Sequence, residues 1–414
     1  MSDPRSSNDI WLKHLAAHLK KEKYDCAVVR NYTGAANRFL QYLDRNRVAV
    51  ESAQSADVES YLTALRFGRK YRKPHRRVSN GLRKLHRSAI HMLLRLVHGR
   101  WPLLPPPKDE HESLHNEIVR GYDTWMSDLR GLAAETRYDC CAEADRFLKW
   151  LRESAGTLAA VTVADIDAYM QSRGASVRRT SRKGIATRLR SFLRHLHLAR
   201  IIERDLSTAV IGPTLYAYEG IPSALRAEDV QQVLKVTRRD RSAIGRRDYA
   251  ILMLLSTYGL RAGEITSLRL EDIDWKRSRL HVRHSKTGAH STLPLLSEPG
   301  EAILDYLRGG RPETGLREVF IRSRAPYRAF ARGSSLYTPI RRRLAMAAVT
   351  PTGKKGPHAF RHARAVTLLR SRVPLKLIGD VLGHRSTRST GAYLKLATED
   401  LRSVALEIPA EVRT

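Results

Sequence analysis

At 414 residues the chain exceeds one ordinary domain and suits two or three, and its 42% apolar residues can build real cores, which excludes a disordered polymer. Lysine and arginine total 74 against 42 acids, a formal charge of +32, which attracts a polyanion such as a DNA duplex with one charge per ~1.7 Å of axis. A membrane surface is the weaker partner, since neither a lipidation motif nor an apolar span of ~20 residues accompanies the charge.

The N-terminal Met1-Ser-Asp-Pro-Arg5 carries no apolar signal core, and Cys26, Cys140 and Cys141 form neither metal-ligand spacing nor a framework of pairs. Adjacent Cys140 and Cys141 fall in a helical pattern, where buried free thiols are expected. The reading is a cytoplasmic protein in a reducing compartment.

Two breaks divide the chain: Pro102-Leu-Leu-Pro-Pro-Pro107, and a Gly/Pro-containing stretch from Ile211 to Pro222. They suggest an N-terminal helical domain over 1–105, a second helical domain over 106–218 and a third domain over 219–414. In the first two, apolar residues recur at spacings of three and four, the helical period.

These two segments share a register. Arg38-Phe-Leu-Gln-Tyr-Leu43 matches Arg146-Phe-Leu-Lys-Trp-Leu151, and Ala56-Asp-Val-Glu-Ser-Tyr-Leu62 matches Ala164-Asp-Ile-Asp-Ala-Tyr-Met170, both 108 positions apart. Leu94-Arg95 with His98 then matches Leu193-Arg194 with His197, 99 positions apart, so the first copy carries an insertion. Two amphipathic helical regions share composition easily, so coincidence stands as one explanation. The gapless register across two blocks favours duplication.

In each copy an aspartate (Asp57, Asp165) follows a loop and precedes an apolar helix, as an N-cap would. A basic loop follows in both. Arg69, Lys70, Arg72, Lys73, Arg76 and Arg77 form the first, Arg178, Arg179, Arg182 and Lys183 the second. A charge run is usually a solvated face. The overall charge and the position between helices favour phosphate contact here. Between the copies, His111-Glu-Ser-Leu-His115 fits the zinc-protease pattern H-E-x-x-H. It follows a proline run in a polar, acidic patch without a third ligand, and we read it as a helix start, with no metal site.

From Leu225 to about Leu401 helices mix with one strand pair. Arg247 to Tyr258 is an apolar helix stopped by Gly259. Arg279-Leu-His-Val-Arg283 alternates, Lys286-Thr-Gly288 turns and Ser291-Thr-Leu-Pro-Leu295 returns, a hairpin with Lys286 at its tip. The fold class is therefore mainly α with a small antiparallel sheet: helical domains followed by a mixed α/β domain.

This half also carries Gly259-Leu-Arg261-Ala-Gly-Glu264, His358-Ala-Phe-Arg361, Leu382-Gly-His384 and Tyr393. Singly these are weak signals: a surface arginine, a hairpin-tip lysine, a helix-capping histidine, a core tyrosine. Together and in this order they resemble the tyrosine recombinase (phage integrase) family. The resemblance covers the second half and, more loosely, residues 112–205, which look like the family's helical core-binding domain. A second copy in front departs from the common two-domain plan. Another departure is Arg372, where many relatives carry glycine.

The resemblance implies a site-specific recombinase that cuts and rejoins DNA without metal or cofactor. Arg261 and Arg361 would clamp the scissile phosphate, since planar bidentate donors suit charge spread over its oxygens. Glu264 would support Arg261 from behind. His384 would donate to the phosphate, and His358 would manage the nucleophile's proton. Tyr393 would attack to form a 3′-phosphotyrosine, and Lys286 would protonate the departing 5′ oxygen. A phenol ionises near pH 10, so neighbouring cations must favour the phenolate.

The implied partners are double-stranded DNA bearing a specific site, a homo-tetramer on paired sites, and accessory recombinases or DNA-bending proteins. Integration, excision or transposition of a mobile element is the expected setting. Residues 398–408 read as an amphipathic helix that docks either on a neighbouring protomer or on its own domain. Two rivals stay open: a type IB topoisomerase with similar chemistry, and a non-catalytic DNA-binding partner of other recombinases.

Overall fold

Helical periodicity in the first hundred residues closes into a four-helix bundle. The computed structural model describes residues 4–65, 79–103, 109–154, 156–216, 224–284, 288–351 and 353–383. They fall into two compact units, one of Leu104–Glu219 and a discontinuous one of Met1–Leu103 with Gly220–Thr414.

In the discontinuous unit, α1 (Pro4–Lys21), α2 (Cys26–Arg45), α3 (Ser55–Ala64) and α4 (Asn80–His98) enclose Leu15, Phe39, Leu43, Val58, Tyr61 and Leu93. The other unit repeats the plan with α5 (Glu110–Asp128), α6 (Ala134–Glu153), α7 (Val163–Gly174) and α8 (Arg179–Leu198) around Tyr122, Phe147, Leu151, Ile166, Tyr169 and Phe192. Asp57 and Asp165 are not the N-caps of α3 and α7. They sit one turn inside and reach back to the N–H groups of Gln54 and Thr162, both at 2.8 Å, each closing a capping box. The longer reach satisfies the cap residue's own donor, which a cap's side chain would leave unbonded.

The segment 178–183 is not a loop either. Arg178 is the N-cap of α8, and Arg179 to Lys183 are helical. Its cations, serine and threonine interrupt the apolar period, and the helix continues because Ile185, Ala186 and Leu189 bury the next turns.

The C-terminal part is built on α9 (Ala227–Arg238), α10 (Ala243–Thr257), α11 (Ala262–Thr266), α12 (Ser297–Gly309), α13 (Tyr337–Met346), α14 (Pro357–Arg370) and α15 (Leu375–Val381). Helix α10 is its centre: Ala250 through Leu255 are all buried. The expected hairpin is present as β2 (Arg279–Arg283) and β3 (His290–Pro294), with Leu280 opposite Leu293. A two-residue strand missed in the sequence, β1 (Ile273–Asp274), pairs antiparallel with β2 and completes the sheet. The fold is mainly helical with a small antiparallel sheet.

A buried ion network fixes α13 to α10. Arg343, fully buried, donates to Asp248 at 2.8 Å and Asp240 at 2.7 Å, while Arg247 donates to Asp248 at 2.8 Å. Such charges are costly to bury unless mutually paired, so the cluster specifies one packing of the two helices.

Candidate active site

Helix α10 delivers the chain to the site, and its C-cap is pinned. The Tyr258 hydroxyl donates to the Pro294 carbonyl and accepts the Leu296 N–H, both at 2.9 Å, fixing the end of α10 to the end of β3. Gly259 then turns with φ of 65°, a left-handed conformation that stops the helix as the sequence predicts. A Cβ there would also stand 2.6 Å from Leu382 Cδ2, so glycine is required twice over.

The turn places Arg261 as N-cap of α11, one turn before Glu264. Glu264 is buried. One carboxylate oxygen accepts the Arg261 backbone N–H at 2.7 Å, and the other accepts Arg261 Nη1 at 2.8 Å. Arg261 Nη2 donates to the Gly383 carbonyl at 2.8 Å. Arg361, in the second turn of α14 and 4% exposed, donates from Nη1 to the Gly259 carbonyl at 2.7 Å and from Nη2 to the Leu382 carbonyl at 2.5 Å. Two guanidinium groups from separate helices thus converge on consecutive carbonyls.

Gly383 has φ of 62°, and a Cβ on it would lie 2.5 Å from His284 Cε1. His284 is the polar residue to which the sequence reading gave no role. It is 3% exposed, with Nδ1 2.7 Å from Glu264 Oε1 and Nε2 2.8 Å from Ser291 Oγ on β3. The signal for it was present: Leu280, Val282 and His284 continue one inward-facing alternation, which demands a partner for a polar third member.

The structure therefore brings together Arg261, Glu264 and Arg361 with the main chain of Leu382 and Gly383. His358 lies one turn before Arg361 on α14, yet it is exposed while Arg361 is buried, and its ring centre stands 6.2 Å from that of His362. Lys286, His384, Tyr393 and the six cations of 69–77 lie outside the described residues. Arg178, Arg179, Arg182 and Lys183 are exposed at the start of α8, where Arg179 Nη2 donates to the Thr214 carbonyl at 2.7 Å and Arg182 Nε to that of Gly174 at 2.6 Å.

Within the unit Leu104–Glu219, His115 Nε2 meets Asp145 at 3.0 Å. Among the described residues no group of three or more His, Cys, Asp or Glu is arranged to hold a metal ion, and no helix is long and apolar enough to cross a membrane. The three cysteines are free thiols, and burial pushes that of Cys141 up to about 11.

Half-buried Arg261 at the start of α11 and buried Arg361 on α14, gathered beside the β2–β3 hairpin, are the features to set beside known proteins. The sequence profile of the Phage integrase family matches residues 223–400. The Sinorhizobium fredii (strain NBRC 101917 / NGR234) protein y4gC, provisionally named an integrase/recombinase, is 57% identical over 189 residues, 46% of this chain and 97% of the relative. Another protein of that strain with the same provisional name, y4rA, is 36% identical over 307 residues, 74% of each chain. Among solved structures, a lambda integrase tetramer bound to a Holliday junction matches in fold with a TM-score of 0.53 and 16% identity, over 79% of this chain and 90% of that one. The chain belongs to the phage integrase family of tyrosine recombinases, enzymes that break and rejoin DNA strands.

Proposed function

We propose that the protein is the site-specific recombinase of a mobile element, acting in integration, excision or transposition, with Tyr393 as nucleophile. The observation that carries this reading is the convergence of Arg261 and Arg361 on the carbonyls of Gly383 and Leu382, directly before His384. Both guanidiniums are held at the entrance of the segment that leads to Tyr393. Their planar donors match the non-bridging oxygens of a phosphate whose negative charge grows during attack.

In this reading the Tyr393 oxygen attacks phosphorus, and the bond to the 5′ oxygen breaks as Lys286 supplies a proton. A 3′-phosphotyrosine and a 5′-hydroxyl result. Attack by a 5′-hydroxyl from the partner duplex reverses the step with exchanged strands. The phosphodiester energy is conserved in the covalent link, so ATP is not required. His384 donates to the phosphate, and His358, exposed on α14, exchanges the phenol's proton.

The partners are double-stranded DNA carrying a recombination site and three further copies of the chain, with accessory recombinases or DNA-bending proteins assisting, in a reducing cytoplasm. The likeness in fold to a tetramer on a Holliday junction supports the assembly. The domains run 1–105, 106–218 and 219–414, the first being a second copy of the core-binding domain. Matched aromatic packing supports the duplication. Tyr61 meets Phe39 and Tyr42 edge-on at 5.3 and 5.4 Å, and Tyr169 meets Phe147 and Trp150 edge-on at 5.1 and 5.5 Å, each partner 108 positions on.

The test is strand exchange between two differently labelled duplexes drawn from the DNA flanking the gene. Hybrid products bearing both labels are expected. Relaxation of supercoils without hybrid products would mark a type IB topoisomerase and overturn the reading.

A further inference from the structure

The sheet and the Arg261–Glu264 turn meet at one side chain. His284, the residue directly after β2, continues the inward-facing row of Leu280 and Val282 and is buried against Glu264, Ser291 and Gly383. Through Nδ1 it meets Glu264, which holds both the backbone and the guanidinium of Arg261. Through Nε2 it meets Ser291 on the opposite strand. Its ring also fills the space a side chain at residue 383 would need, and Gly383 is the residue whose carbonyl receives Arg261 Nη2.

The protons can be assigned from the partners. The Glu264 carboxylate faces the Arg261 guanidinium and accepts only, so Nδ1 carries a hydrogen and donates to Oε1. Nε2 pairs with the Ser291 hydroxyl, so the hydrogen-bonded chain runs from Ser291 through His284 to Glu264, where it meets the donors of Arg261. A carboxylate shared in this way has little freedom to rotate, and the plane of the guanidinium is fixed with it.

We propose that His284 is a positioning residue for strand cleavage, resting on the function read above. It orients Glu264 and thereby Arg261, and it anchors the base of the hairpin two residues before Lys286. One imidazole thus ties the acid that holds Arg261 to β3 and to the main chain at Gly383. The fold of the sheet is thereby linked to the chemistry, because the hairpin cannot shift without dragging the acid that aims Arg261.

The experiment is single-turnover cleavage of a nicked duplex by the full-length protein, with DNA affinity and thermal unfolding measured on the same preparations. His284→Ala is expected to lower the cleavage rate about 100-fold, the scale of a misplacement near 1 Å, with DNA affinity within about twofold of wild type. His284→Asn keeps a donor at the position of Nδ1 and is expected to recover most of that rate. His284→Gln, whose amide reaches instead towards the position of Nε2, is expected to stay near the alanine level. If the alanine protein fails to fold, the comparison of Asn with Gln decides: equal rates in the two would overturn the proposal. Wild-type cleavage matched by His284→Ala would overturn it alone, whereas a wild type that never cleaves would overturn the functional reading and this proposal together.

Discussion

Glu264 divides one buried carboxylate between the backbone and guanidinium of Arg261 on one side and the His284 ring on the other. Glu264→Gln replaces an acceptor with an amide, so one of these donors must face another N–H. Loss of the charge partner and one unsatisfied donor cost on the order of 2 kcal/mol. We expect a lower midpoint in urea and cleavage slower by about 100-fold; a protein with unchanged stability and rate would show that Glu264 is dispensable. Arg372 offers the opposite case. It sits at φ of 58° beyond the end of α14, a left-handed conformation costing an L-residue roughly 1–2 kcal/mol. Arg372→Gly is expected to raise stability by about 0.5–1 kcal/mol after glycine's own entropy is deducted, as read from the urea midpoint. Arg261, Glu264 and Arg361 were singled out in the sequence by the resemblance of their motifs to the family's, and the fold brings the three together. His284 was not, because its role depends on which strand faces which helix, and that is set by long-range packing.

Among the elements, α8 begins against its own electrostatics. Cations near a helix N-terminus oppose the dipole, and arginine is a poor N-cap. Arg178→Ser therefore tests two effects of opposite sign. It is expected to stabilise the helical unit by about 1 kcal/mol, since serine caps and the charge is removed. It is also expected to weaken DNA binding and reduce the salt slope of the affinity by about 0.9, the loss of one phosphate contact. Binding that keeps its slope would make Arg178 a solvated charge. The hairpin and the stop of α10 were legible because alternation and a glycine are local signals. The missing strand was not, since two residues carry no period, and neither was the helical start at 178–183, whose side chains resemble a loop.

At the scale of the whole molecule, some folded carboxylates in separate parts of the chain are held as anions by specific donors. Asp109 is lowered by the Glu112 backbone N–H, Asp165 by the Thr162 hydroxyl, and Asp240 by the Ser242 hydroxyl and then Arg343, down to about 2. A depressed carboxylate stabilises the fold above its unfolded value near 3.8, and that contribution is lost as pH falls through the folded value. Acid also adds to a charge already at +32, so repulsion grows in the same direction. Thermal unfolding should show a midpoint that begins to fall below about pH 6, where burial resists protonation of His86, His91 and His195, and falls steeply between about pH 4 and pH 2. A midpoint that stays level across that window would contradict the assigned pairings. The charge that drives this sensitivity was plain in the composition, whereas the pairings that hold the acids down required the fold.

The chemistry itself rests on Tyr393. Purified protein should be incubated with nicked duplexes from the DNA flanking its gene and run on a denaturing gel beside Tyr393→Phe. A nucleophilic Tyr393 requires a protein-linked DNA band in the wild type that is absent from the phenylalanine variant. A band that survives in Tyr393→Phe, or cleavage with no protein-linked product, would contradict it.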